Sequence, residues 1–159
     1  MGDADKEIIK HVKSYLKSMR EIRIYRDSLL DEINDCYDVR SIDISSIKVS
    51  AADKAEVMNN RIVRNEYIIN IINEIELIIN EFYIVMLMFP LKQRNILKAH
   101  LNAGGYTEMI NVLENKYFIS SSTYNRMLPK ICLELSQYID YLKPPTIKNI
   151  MKERTEKNG

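Results

Sequence analysis

The stretch IINIINEIELIINEFYIVMLMF, residues 68–89, decides the fold. Ile68, Ile71, Ile75, Ile78, Phe82, Val85 and Phe89 recur at steps of three and four, the spacing that keeps side chains on one face of an α-helix. Ile69, Ile72, Ile79, Tyr83 and Met86 widen that face, while Asn70, Asn73, Asn80, Glu74, Glu76 and Glu81 supply a wet side. Pro90 lacks the amide a helix interior needs and should end the element. Ser50 followed by Asp53 resembles a capping box at its start. A stripe this wide argues for burial against more than one neighbour, in a bundle or a helical dimer. Ile68, Ile71, Ile75, Ile78 and Phe82 are therefore expected at an oligomer interface, making the protein a homo-oligomer.

Upstream, Ile8, Val12, Tyr15, Met19, Ile22, Arg26, Leu29, Ile33 and Cys36 alternate four and three, the seam of another long helix. Asp3 or Asp5 can cap it, and it should end near Tyr37. Residues 38–50 break the pattern and read as a loop. Lys6, Lys10, Lys13, Lys17 and Arg20 line one side of this helix, whereas Asp27, Asp31, Glu32, Asp35 and Asp38 crowd its far end. That polarity suits antiparallel self-pairing or an acidic protein surface, and equally a buried seam with solvated flanks.

Downstream of Pro90 the elements shorten. Residues 91–101 and 106–117 read as helices separated by NAGG (102–105), with Thr107 as a cap for the second. A last helix is expected from Ser120 or Ser121 through residue 142, with Pro129 kinking or restarting it. Pro144 and Pro145 close the fold and leave a basic, frayed tail. The expected class is all-α: residues 1–90 for interaction or dimerisation, 91–142 a helix-turn-helix domain, 143–159 a flexible tail.

With 159 residues, 46% of them apolar, the chain can bury a core. Net charge +1 conceals an asymmetry. Residues 1–90 hold 12 Lys/Arg against 16 Asp/Glu, giving −4, and residues 91–159 hold 11 against 6, giving +5. A basic back half suits an anionic partner. No apolar run approaches the ~20 residues of a membrane span, and the polar amino terminus does not read as a signal peptide. A soluble, cytoplasmic protein is expected, with no membrane partner and Cys36 and Cys132 as reduced, buried thiols.

Catalysis finds no support. His11 and His100 are the two histidines, and neither neighbours a cysteine or carboxylate cluster that spells a metal site or a triad. Gly104-Gly105 reads as an interhelical turn and not a phosphate loop. A protein that is not an enzyme, with no cofactor and no metal, is expected.

The back half instead carries YFISSSTYNRML, residues 117–128. Short hydroxyls ahead of an apolar helical pattern mark a helix start. In a helix-turn-helix, the amino end of the last helix meets base edges and phosphates. Small hydroxyls there cap the helix and let DNA approach. Ser121, Ser122, Thr123, Asn125, Arg126 and Lys130 are the expected DNA-binding residues, Asn and Arg being suited to adenine and guanine edges.

The run ISSSTYNRMLPKI, residues 119–131, is similar to the helix-turn-helix of sigma-factor region 4. In layout the chain resembles small phage regulators of the ArpU and RinA type, whose long helix begins with a stretch like AADKAEVMNNRIV. The resemblance covers most of the chain in arrangement but only residues 119–128 in motif. It implies Ser120 as the cap, Thr123 and Asn125 facing the groove, Arg126 as the principal cation, and Tyr124 and Leu128 in the core. It further implies activation of late or packaging genes in phages of low-GC Gram-positive bacteria, through double-stranded DNA and with RNA polymerase as a further partner. Glu114 stands where that motif has a small residue. The competing expectation is a phage-type helical adaptor or inhibitor that binds protein and not DNA.

Overall fold

A computed structural model describes the backbone of residues 2–37 and 51–158 and the side chains of residues 2–34 and 55–152. Within those limits the chain is all-α. The helices are α1 (Asp3–Tyr37), α2 (Ala51–Met86), α3 (Leu91–Asn102), α4 (Tyr106–Lys116), α5 (Ser121–Leu135) and α6 (Ile147–Asn158). The connector expected at 38–50 and the cap at Ser50 lie outside the described residues.

α1 and α2 contain neither glycine nor proline, so nothing local interrupts them. They run antiparallel: Arg26 pairs with Glu76 at 3.8 Å and Arg64 with Glu32. Ile9, Val12, Leu16, Met19, Ile22, Leu29 and Ile33 of α1 and Ile68, Ile71, Ile72, Ile75, Ile79 and Phe82 of α2 are all buried, α1 packing against α3 and α5 as well as α2. The expected interface residues are thus placed inside the chain. Ile68, Ile71, Ile75 and Phe82 are no more than 5% exposed and Ile78 is largely covered, because α1 and α6 lie against α2.

α2 ends four residues before Pro90, through tightened bonds from the Leu87, Met88 and Phe89 amides. Arg94 covers the freed carbonyls, donating to Met86 O at 3.3 Å and Phe89 O at 3.2 Å. α3, α4 and α5 then pack on one another, and α1 lies against both α3 and α5. One core therefore runs from the α1–α2 hairpin into the three shorter helices.

Two local expectations are corrected. Gly105, not Thr107, precedes α4, and Glu108 reaches back to accept from the Gly104 amide at 2.6 Å. α5 ends at Leu135: Ser136 Oγ bonds the Leu133 carbonyl at 2.5 Å, and the Gln137 and Tyr138 amides bond three residues back. Where a basic tail was expected, residues 147–158 form α6, and Ile150 is buried in the core beside the hairpin. Among the described residues no helix is long and apolar enough to cross a membrane.

Candidate nucleic-acid interface

The site is built on how α5 begins. α4 ends at Lys116, and Tyr117 follows at φ −107° and ψ −4°, still right-handed but already leaving the helix. Phe118 then takes φ 57°, reversing the chain, so that the Ile119 amide reaches back to Leu113 O at 2.8 Å. Ile119 is driven into the core while Phe118 stands 88% exposed. A phenylalanine in the left-handed region costs about 1–2 kcal/mol, and an exposed ring recovers little of it by packing. The turn is held by Ile119.

Ser120 answers the hydroxyl run. Its φ of −69° and ψ of 157° are non-helical, and its Oγ accepts the Thr123 amide at 3.2 Å. The same Oγ donates to Thr123 Oγ1 at 3.0 Å and lies 3.2 Å from Ser122 Oγ. One serine is the cap, and its two neighbours form a small hydroxyl cluster over the helix end. No acidic residue occupies the first turn, so the positive end of the helix dipole is not neutralised from within α5.

Tyr124, Leu128, Ile131, Cys132 and Leu135 bury one side of α5. Ser122, Asn125, Arg126 and Lys130 are exposed, whereas Ser121 and Thr123 are half-buried. Of the six expected DNA-binding residues, these four share the solvent side. Ser122, Asn125 and Arg126 form a compact group at the amino end, and Lys130 lies one turn beyond Arg126. Pro129 does not break the helix. The bond its nitrogen cannot make would go to the Asn125 carbonyl, beside an exposed side chain where water can substitute. Glu114 is likewise exposed, and Met109 and Leu113 supply the buried side of α4.

Two arginines of α1 anchor this unit, and sequence reading missed them. Arg23 Nε donates to Leu101 O at 2.8 Å and Arg23 Nη2 to Ala103 O at 3.0 Å. Arg20 Nε donates to His100 O at 2.8 Å. Cations at the end of α3 meet the negative pole of its dipole and its unsatisfied carbonyls. Asp27 holds Arg23 in place at 2.8 Å. Arg20 stands at the end of the row of lysines, and nothing in its spacing distinguishes it from them.

Behind α5, Tyr124 Oη lies 2.7 Å from His100 Nε2. Burial, aided by Arg20 and Lys13, lowers the His100 pKa to about 4, so the ring is neutral near pH 7. Burial raises the pKa of Tyr124 above that of a free phenol, so it keeps its proton. Burial likewise pushes the Cys132 thiol up to about 11, making it a poor nucleophile. His100 thus belongs to a packing network. Among the described residues no cluster of His, Cys, Asp and Glu could hold a metal ion.

No family model, no curated protein and no solved structure matches this chain.

Proposed function

We propose that the protein is a sequence-specific, double-stranded-DNA-binding transcription regulator in which α3, α4 and α5 act as a helix-turn-helix and α5 enters the major groove. The observation that carries the reading is the exposed group Ser122, Asn125 and Arg126 at the amino end of a helix capped by Ser120 and lacking an acidic first turn. Arg can bond guanine and Asn adenine through paired hydrogen bonds, while the small serine admits the base edge. Lys130 serves a phosphate. The likeness of residues 119–131 to sigma region 4 supports the same reading. It alone suggests the role of a phage-type activator in contact with RNA polymerase.

Selection from a random duplex pool tests it. The wild-type chain should enrich one motif, and Arg126→Ala should lose preference at one or two base pairs of it. A pool that stays random through successive rounds would overturn the reading. A second reading, a helical adaptor that binds protein, draws on the exposed apolar residues of α2 and on Phe118.

A further inference from the structure

α2 is apolar around most of its circumference. The side facing α1 is buried, yet Ile62, Ile69, Leu77 and Ile84 on the opposite side are 53%, 39%, 64% and 60% exposed. A helix apolar on both sides ordinarily has neighbours on both sides. With Glu66, Asn73 and Asn80, which are also exposed, these residues make one row: Ile62, Glu66, Ile69, Asn73, Leu77, Asn80, Ile84. Its steps are four, three, four, four, three, four. Ile62, Asn73 and Ile84 are eleven residues apart, close to three full turns, so the row runs nearly straight along the helix.

The row reads the same in both directions, in spacing and in polarity. We infer that this outer face of α2 is a self-recognition seam, on which a second copy of the chain docks antiparallel about a twofold axis through Asn73. In that pairing Ile62 meets Ile84 of the second copy, Ile69 meets Leu77, and Asn73 meets itself. Glu66 meets Asn80, whose side-chain amide can donate to the carboxylate. Glu76 falls opposite Asn70, so no two acids face each other. A parallel pairing would set Glu66 against its own copy and lose that match. An isologous contact requires a surface complementary to itself, and this row has that property. Buried amides at such a seam fix register and orientation. The inference is independent of DNA binding, since every residue in it lies on α2.

Sedimentation equilibrium on the full chain at tens of micromolar tests it. The wild type should be a dimer. Leu77→Glu/Ile84→Glu should halve the mass and leave helicity unchanged, because both positions are exposed in the single chain. A wild type that stays monomeric, or a double variant that still dimerises, would overturn the inference. Should the double variant unfold, oxidative cross-linking decides. A mixture of Ile62→Cys and Ile84→Cys chains should cross-link to each other well above the wild-type background, and Ile84→Cys alone should not. The reverse pattern means a parallel pair and overturns the inference.

Discussion

Arg23 of α1 donates to the carbonyls of both Leu101 and Ala103 at the end of α3, across 78 and 80 residues of chain. This contact seats the three shorter helices on the long hairpin. The Arg23 side chain is 13% exposed and fixed by Asp27, so its removal leaves covered carbonyls without donors. Arg23→Ala should lower unfolding free energy by roughly 2–3 kcal/mol, the scale for hydrogen bonds from a charged donor. Urea denaturation measures it. A loss below half a unit would mean that the contact is replaced by water.

His100 sets an acid limit. Above pH 6.5 its ring is neutral in folded and unfolded chains alike. Between 6.5 and about 4 the unfolded chain takes up a proton that the folded one refuses, so stability falls as pH falls through this window. The ceiling is about 3 kcal/mol at the usual worth of a pKa unit. His100→Gln, followed by urea melts from pH 7 to 4.5, should flatten the slope. An unchanged slope would assign the acid sensitivity elsewhere.

At the turn before α5 two substitutions should act in opposite directions. Ser120→Ala removes the cap and should cost about 1 kcal/mol. Phe118→Gly relieves the positive φ of an exposed residue and should raise stability by up to about 1 kcal/mol. Thermal melts of the two variants would show the opposed shifts.

The long helices were legible because a seam of threes and fours survives any tertiary context: Val12, Met19, Ile22, Ile71 and Ile75 are all buried as their spacing requires. The cap at Ser120 was legible for the same local reason. What the stripe packs against was not, since Ile75 looks alike whether its partner is α1 or another molecule. Arg20 and Arg23 were hidden too, because their acceptors are backbone carbonyls, which leave no trace in residue identity. α6 was obscured by Pro144, Pro145 and a charged tail in which Ile150 is the buried anchor.

Lys130→Ala separates positioning from reading. If Lys130 meets phosphate alone, its loss should weaken binding to all duplexes alike and reduce the dependence of log affinity on log salt by about one. Arg126→Ala should instead cost roughly 1–3 kcal/mol on the preferred duplex and little on others. Titrations on two duplexes distinguish these signatures, and identical behaviour of the two variants would refute the assigned roles.

The most direct test of DNA reading is fluorescence anisotropy of the wild-type protein on its selected duplex and on a scrambled one, across a salt series. Binding should weaken linearly in log–log form, and the selected duplex should keep an advantage on the order of a thousandfold or more. Equal affinity for both duplexes, or no binding to either at the lowest salt, would contradict it.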